Sequence, residues 1–275
     1  MVNILTDSTS DLGAEVAAEF GLDVIPLTVT IGGRSYVDGV DIFQEDLFRL
    51  ASQTGELPKT AAPSVGEFEK FFDRDGGSVF IGISSKLSAT IQNATLAAGS
   101  SSRVQVLDSL NLSTGVGLLA LLAADLRDQG LSAGEIHARL QEARGKLHVS
   151  FMIDTMDYLY KGGRCTALQA IAGSMLKIHP VIEVRPDGSL GVKEKARGAR
   201  QKGLQMLLDD LASHLSELDR HRVFVTHTAC PEDAEFLKKE VVRIAAPDEV
   251  RITLAGSVVS SHCGPGTIGI LYFGK

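Results

Sequence analysis

Short apolar segments alternate with amphipathic ones along the first half of the chain. Val2–Leu5, Ser78–Ile83 and Val104–Leu107 are short and largely apolar, and they predict buried strands; a longer segment, Asp23–Ile31, predicts a strand that ends at Gly32-Gly33. Apolar residues at helical spacing predict helices over Asp11–Phe20, Gln44–Ser52, Lys86–Ala98 and Ser113–Arg127. A repeated strand-then-helix order is typical of a parallel sheet covered by helices, so we expect an α/β fold here.

Two of the predicted helices carry a capping signal at their N-termini. Ser64 and Ser132 are each followed by a glutamate three residues later, and this pair of side chains satisfies two free backbone N–H groups of a helix. The first signal predicts a helix that runs to about Asp73. It places Thr60 in the loop just before that helix.

The second half has a different pattern, with a boundary near Lys146–Val149. Arg185-Pro186-Asp187-Gly188-Ser189 joins two apolar segments and predicts a hairpin, because Pro and Gly suit the dihedral angles of a tight turn. Other predicted elements are helices Gly198–Leu215 and Pro231–Ile244, and strands Arg222–Thr226, Val250–Val259 and Thr267–Phe273, with a loop at residues 260–266. We therefore expect a parallel-sheet α/β domain over residues 1–148 and an α+β domain with antiparallel strands over residues 149–275.

The amino-acid composition argues against nucleic acids as binding partners and against a membrane-spanning segment. The 275 residues include 27 Lys and Arg against 34 Asp and Glu, a net charge of −7, with no Trp and 5% aromatic residues. Such a chain has neither the positive charge nor the stacking surfaces of a nucleic-acid-binding protein. Its three cysteines are far apart, no export signal precedes Asp7, and no apolar segment reaches about 20 residues. We expect a cytoplasmic protein with at most transient membrane contact.

Several sequence patterns resemble known binding or catalytic motifs, but their surroundings in the chain do not match those motifs. Residues 264–269 read G-x-G-x-x-G, but only six residues follow, too few for a dinucleotide-binding unit, and no P-loop is present. A similar glycine pair, Gly115 and Gly117, lies inside an apolar helix pattern and indicates close helix packing. The histidines show no metal-binding spacing, so we expect neither a metal nor another cofactor. A serine hydrolase or acyl transferase that uses Ser88 and His262 stays open, although the G-x-S-x-G elbow is missing.

Hydroxyl-rich segments recur where predicted strands give way to helices. Residues 6–10, 59–60, 84–88 and 108–109 all contain Ser or Thr and adjoin a strand and a helix. The carboxyl ends of parallel strands meet at one edge of a sheet, where hydroxyls and helix N-termini favour a carboxylate or phosphate. Each segment taken alone is also consistent with ordinary helix capping. Together they indicate a ligand site.

Five motifs, in order from the first strand to the last, resemble the DegV family of bacterial fatty-acid-binding proteins. They are Asp7-Ser8-Thr9-Ser10-Asp11-Leu12, Tyr36-Val37-Asp38-Gly39-Val40-Asp41-Ile42, Ser84-Ser85-Lys86-Leu87-Ser88-Ala89-Thr90, Lys161-Gly162-Gly163-Arg164 and His262-Cys263-Gly264-Pro265-Gly266. The resemblance implies two domains with a long-chain fatty acid bound in a deep pocket between them. It also implies a non-catalytic acyl-carrying subunit of fatty acid kinase, whose bound carboxylate is phosphorylated by a separate ATP-binding subunit to give an acyl phosphate for lipid synthesis.

The resemblance also suggests roles for particular residues. Thr60 and Ser88 fall on the carboxylate-binding positions, and Asp38, Arg197 and His262 fall on polar positions expected near the opening where phosphoryl transfer occurs. Two departures from the family pattern are present: Ala61-Ala62 stands where the family's head-group loop has Ser-Gln, and Cys263 where it usually has Thr.

Overall fold

The computed structural model describes residues 2–167 and 178–275. Its strands are β1 Asn3–Asp7, β2 Leu22–Ile25, β3 Thr28–Ile31, β4 Arg34–Val37, β5 Lys59–Ala61, β6 Ser78–Gly82, β7 Val104–Asp108, β8 Leu147–Met152, β9 Ile178–Val184, β10 Leu190–Arg197, β11 Leu218–His227, β12 Glu249–Leu254 and β13 Ile268–Gly274. Its α-helices are α1 Gly13–Glu19, α2 Gln44–Thr54, α3 Val65–Phe72, α4 Thr90–Ala98, α5 Thr114–Asp128, α6 Ala133–Ala143, α7 Asp157–Lys161, α8 Arg200–Ser213, α9 Pro231–Ala245 and α10 Ser257–Cys263. The strands form three sheets.

The first sheet confirms the predicted parallel α/β arrangement. Its four parallel strands lie in the order β2-β1-β6-β7. Alternate residues of β1 enter opposite cores: Ile4 packs with α5 and α6, and Leu5 packs with Phe68 of α3 and Phe80 of β6. Both predicted capping boxes are present, at Ser64 and Ser132.

The segment Asp23–Ile31 forms two strands in two different sheets, so the prediction of one strand was wrong. Pro26 interrupts it, because proline has no backbone N–H to continue the pairing. After Pro26, β3 joins a small antiparallel sheet in the order β4-β3-β5. Thr60 lies in β5, paired with Val29, and not in the predicted loop. A strand of three residues has too little pattern to be recognised from sequence.

The third sheet has six strands in the order β10-β9-β8-β13-β11-β12, antiparallel except for the pair β11 and β12. The predicted hairpin is confirmed as β9 and β10, with a register shift between Val192 and Glu194. Helices α8 and α9 cover one face with their apolar side chains. This sheet starts at Leu147, so its first strand overlaps the expected domain boundary.

Helix α5 is shared by the two larger sheets. Its apolar residues pack both with Ile4 and Val79 of the parallel sheet and with Phe224 and Leu271 of the six-stranded sheet. This explains why residues 116–124 of α5 are apolar on every side of the helix, since that part is covered by both sheets and needs no polar face. A Cβ at Gly117 would lie 2.8 Å from a side-chain carbon of Leu12, so the glycine allows close packing, as predicted.

The region after β12 forms a helix, so the predicted strand to Val259 and the loop at 260–266 were wrong. Strand β12 ends at Leu254, and α10 covers Ser257–Cys263. The β-branched Val258 and Val259 continue the strand-like pattern of the sequence, but the local backbone is set by contacts with distant residues.

Those contacts are made at the N-terminal end of α10. The backbone N–H of Gly256 donates to Asp11 and that of Ser257 donates to Asp38, both at 2.8 Å. Gln44 of α2 donates to the carbonyl of Ala255 at 2.9 Å and accepts from the N–H of Ala229 at 2.8 Å. Three side chains from the first 44 residues thus hold α10 in place.

Candidate functional site

A cavity lies where the parallel sheet, the small sheet and α10 meet. Its empty volume is about 740 Å³, including the open space at its mouth. Most of its wall is apolar. Six of the side chains that form this wall are Leu27, Leu87, Leu112, Leu159, Leu190 and Val259.

Four polar side chains also line the cavity. Thr60 comes from β5, Ser88 from the turn before α4, Arg164 from the loop after α7 and His262 from α10. The fold therefore brings together three residues singled out from the sequence, Thr60, Ser88 and His262. An apolar cavity with polar groups suits an amphipathic ligand with one polar head.

Thr60 and His262 are hydrogen-bonded to each other, 2.7 Å from Oγ1 to Nε2. Burial lowers the pKa of His262 to about 4, and the charge of Arg164 adds to this effect, so the imidazole is neutral at pH 7. Its Nδ1 is buried, without a hydrogen-bonding partner among the described residues, and faces the backbone of Gly162. The polar group that His262 orients is therefore the Thr60 hydroxyl.

Ser88 lies two residues before Thr90, the first residue of α4. Its hydroxyl is 2.8 Å from that of Thr90, and it also accepts from the Thr90 backbone N–H at 3.3 Å. The interpretation of Ser88 as a helix cap is therefore partly correct. The same interpretation does not apply to Thr60, because the Thr60 hydroxyl contacts the side chain of His262 and not the backbone at the start of a helix. The free N–H groups at the start of α4 favour an anion next to Ser88.

Arg164 is a site residue for which the sequence analysis gave no role. It donates to the carbonyl of Gly162 at 2.6 Å and to that of Leu87 at 3.3 Å, so it joins the second half of the chain to the first. Its signal in the sequence was the motif Lys161-Gly162-Gly163-Arg164. A guanidinium in the cavity wall adds a positive charge to a site otherwise formed by neutral groups.

Asp38 and Arg197 do not line this cavity. Asp38 is buried against the N-terminal end of α10, where burial raises the pKa of its carboxyl to about 6. Arg197 is exposed at the end of β10. The structure therefore gives Asp38 a contact with the helix that carries His262, and leaves Arg197 on the surface.

The two departures from the family pattern both bear on the cavity. Ala62 and Cys263 line it, whereas Ala61 is exposed. Burial raises the pKa of the Cys263 thiol to about 12, so it is protonated and acts as a small apolar group. The cavity of this protein is accordingly less polar at these two positions than the family pattern implies.

The arrangement does not favour hydrolysis. Within the described ranges 2–167 and 178–275, Ser88 and His262 are not hydrogen-bonded to each other, and no carboxylate contacts the ring of His262. A histidine that acts as general base needs an acceptor for its other ring N–H, which is a carboxylate in a catalytic triad, and a pKa near the working pH. The pKa of His262, about 4, is too low for this role. In the same ranges, no group of three His, Cys, Asp or Glu side chains could hold a metal, and no helix is long and apolar enough to cross a bilayer.

Comparison with known proteins identifies the family. A family model described as an uncharacterised protein of the DegV family matches residues 1–275. The chain belongs to the DegV family. A DegV domain-containing protein of Caldanaerobacter subterraneus subsp. tengcongensis is 32% identical over 282 residues, with 98% of each protein covered. Another from Staphylococcus aureus is 32% identical over 277 residues, with 99% of this chain and 98% of the relative covered.

Solved DegV structures share the fold over the whole chain. A DegV family protein from Thermus thermophilus, described by its fatty acid binding, superposes with a TM-score of 0.93 at 30% identity, covering 100% of this chain and 99% of that one. DegV from Bacillus subtilis, described as a fatty acid binding protein, gives 0.86 at 26% identity, with 100% and 99% covered. The Streptococcus pneumoniae fatty acid kinase B3 protein, loaded with linoleic acid, gives 0.87 at 22% identity, with 99% of both chains covered, which shows the fold alone.

Proposed function

We propose that this protein binds a long-chain fatty acid, with the carboxylate at the polar end of the cavity and the acyl chain along its apolar wall. The observation that carries the proposal is the presence of Thr60, Ser88, Arg164 and His262 in the lining of an otherwise apolar cavity, with Thr60 and His262 hydrogen-bonded to each other. The fatty-acid-binding relatives support it. The ligand is resident and is carried, not converted, by the protein itself.

The carboxylate selects one hydrogen-bonding pattern around Thr60. The neutral His262 donates from Nε2 to Thr60 Oγ1, which leaves the Thr60 hydroxyl hydrogen free for the carboxylate. In the opposite tautomer, His262 Nε2 would accept the hydrogen of the Thr60 hydroxyl. A lone pair of Thr60 Oγ1 would then face the carboxylate, which would weaken binding. His262 is thus a positioning residue for Thr60, while Ser88 supplies the second hydroxyl.

Apolar burial is sufficient for tight binding. About 15 methylenes at roughly 0.8 kcal/mol each contribute about 12 kcal/mol before the entropy cost of immobilising the chain. The charge of Arg164 offsets that of the carboxylate. Arg164 does not form a bidentate ion pair with it, because two of the guanidinium nitrogens already donate to backbone carbonyls. A carboxylate oxygen then stays available as a nucleophile.

We propose further that a separate ATP-binding kinase subunit phosphorylates the bound carboxylate, and that the acyl phosphate feeds lipid synthesis. Asp38, Arg197 and His262 are assigned to the vicinity of this transfer. The exposed Arg197 would contact the partner, His262 would orient Thr60 during transfer, and Asp38 would hold α10 in place. The interface with the kinase is transient, since the carrier has to deliver its product.

Organic extraction of the purified protein, followed by mass spectrometry, tests the carrier proposal. We expect about one fatty acid per chain. A chain free of lipid that also fails to bind added palmitate would contradict the proposal. Calorimetric titration with Mg-ATP should be flat for the protein alone, and saturable binding at micromolar concentration would favour a one-component kinase instead.

The alternative is a hydrolase or acyl transferase, for which the close pair of Thr60 and His262 is the one favourable observation, because a hydroxyl beside an imidazole resembles a nucleophile with its base. The low pKa of His262 and its unpartnered Nδ1 oppose it. Turnover of a chromogenic acyl ester that depends on Thr60 or Ser88 would revive this alternative.

A further inference from the structure

Ser84 holds the turn that carries Ser88, although Ser84 itself is fully buried and does not line the cavity. Its carbonyl accepts from the backbone N–H groups of Leu87 at 2.9 Å and of Ser88 at 3.2 Å. Its hydroxyl oxygen accepts from the N–H of Lys86 at 3.2 Å. The turn at residues 84–88 is therefore closed around one buried serine, and the place of Ser88 follows from the place of Ser84.

The hydroxyl hydrogen of Ser84 joins this turn to the second half of the chain. Ser84 donates it to the carbonyl of Gly188 at 2.8 Å, in a buried hydrogen bond that spans 104 positions. Gly188 lies in the turn of the β9–β10 hairpin. The N–H of Gly188 donates to the carbonyl of Arg185, and the N–H of Arg185 donates to that of Ser189, both at 2.8 Å. The anchor of Ser84 is thus a hydrogen-bonded turn of the backbone.

The hairpin tip approaches the first half so closely that only glycine fits at residue 188. Its φ of +83° lies in the left-handed region that favours glycine, and a Cβ there would overlap the Ser84 hydroxyl and lie 3.0 Å from Leu110 Cα. Leu190, two residues further on, lines the cavity. The same hairpin therefore forms part of the cavity wall and holds the turn that carries Ser88.

We propose that Ser84 is a positioning residue for Ser88, and that the docked β9–β10 hairpin fixes Ser84 through the carbonyl of Gly188. This role rests on the proposed function, in which Ser88 donates a hydrogen bond to the carboxylate. A hydrogen bond weakens steeply when its geometry is lost, so a displaced turn would take the Ser88 hydroxyl out of reach of the ligand. Carboxylate binding then depends on contact between the two halves of the chain, at residues that do not line the cavity.

A double-mutant cycle on palmitate affinity tests the role of Ser84. Ser84→Ala removes the hydroxyl but keeps the carbonyl that accepts from Leu87 and Ser88, so palmitate binding should weaken by about fivefold or more while the chain still folds. In the Ser88→Ala background the same substitution should change affinity by less than about twofold, because no hydroxyl remains to be positioned. The matched control is Ser150→Ala, which removes a buried hydroxyl bonded to Asp210 at 3.0 Å outside the cavity and should change affinity in neither background.

Gly188→Ala perturbs the same contact from the hairpin side, and it serves if Ser84→Ala does not fold. The added methyl group would push the hairpin away from Ser84, so palmitate binding should weaken by about fivefold or more. Gly130→Ala is the control, because Gly130 has a similar φ of +88° but no atom of the described residues within 4 Å of the added Cβ. It should bind palmitate as wild type does. Equal affinity of the two folded variants would overturn the role of the hairpin.

Two results would overturn the positioning role of Ser84 and leave the carrier function intact. One is a folded Ser84→Ala protein that binds palmitate as tightly as wild type. The other is an equal loss on Ser84→Ala with and without the Ser88 hydroxyl, since Ser84 would then act on the ligand through another part of the cavity. Wild-type protein that does not bind palmitate would contradict the proposed function itself.

Discussion

Replacing Thr60 by valine removes one hydroxyl while keeping the shape of the side chain and its place in β5. The hydroxyl is half-buried and 2.7 Å from His262, so both its partners, the imidazole and the proposed carboxylate, lose a hydrogen bond. Loss of one hydrogen bond to a charged group costs about 1–3 kcal/mol. At 1.4 kcal/mol per factor of ten, we expect palmitate affinity to fall by about 5-fold to 150-fold.

The assay compares palmitate affinity and melting temperature for Thr60→Val and for Thr30→Val. Thr30 lies on β3 in the same small sheet, and its hydroxyl contacts Ser35 outside the cavity. The control should keep wild-type affinity. A Thr60 variant that melts at a lower temperature but binds palmitate as tightly as wild type would refute the assignment, because it would show that the hydroxyl only stabilises the fold.

Three further predictions concern Ser88, the transfer residues and Asp38. Ser88→Ala should weaken palmitate binding by about 1–3 kcal/mol; a lowered melting temperature with unchanged affinity would support a capping role instead. Arg197→Ala should leave palmitate affinity nearly intact but lower acyl-phosphate formation when a kinase subunit and ATP are supplied, and an equal loss of both would place Arg197 in the binding pocket proper. His262→Ala removes the group that orients Thr60 and should lower both palmitate affinity and acyl-phosphate formation; unchanged affinity would show that Thr60 does not need the imidazole to bind the carboxylate. The pKa of Asp38 rises from 3.8 to about 6 on folding, so its ionisation costs up to about 3 kcal/mol at pH 7, a penalty that is absent below about pH 4 and grows as the pH rises to 6. Asp38→Asn should therefore be more stable than wild type at pH 7.5, with a difference in unfolding free energy that shrinks towards pH 4.5; a difference independent of pH would contradict this account.

The local elements of the fold could be predicted from the sequence because their signals lie within a few residues. The capping boxes at Ser64 and Ser132 and the hairpin turn at residues 185–189 are of this kind, and so is the alternation of strands and helices in the first half. Long-range pairing could not be predicted. Thr60 lies in a strand only because β3 is beside it.

The sequence pointed to several residues of the candidate site, but it did not predict how those residues contact one another. The family motifs pointed to Thr60 and His262 separately, one for the carboxylate and the other for phosphoryl transfer, and the structure joins them by a hydrogen bond. The helix that carries His262 was missed, because its N–H groups are satisfied by Asp11 and Asp38, more than 200 residues earlier in the chain. Arg164 was missed because its motif was recognised without a physical role.

The hydrogen bond between Thr60 and His262 spans 202 positions of the chain, which has a consequence for biosynthesis. While the ribosome is still making the last strands, the small sheet and α2 have no α10 to cover them, and the cavity has no closing wall. Contacts this distant in sequence form late in folding. Under the proposed carrier function, lipid loading requires an essentially complete polypeptide, and a chain that ends before α10 would expose apolar surface and be a target for chaperones and proteases.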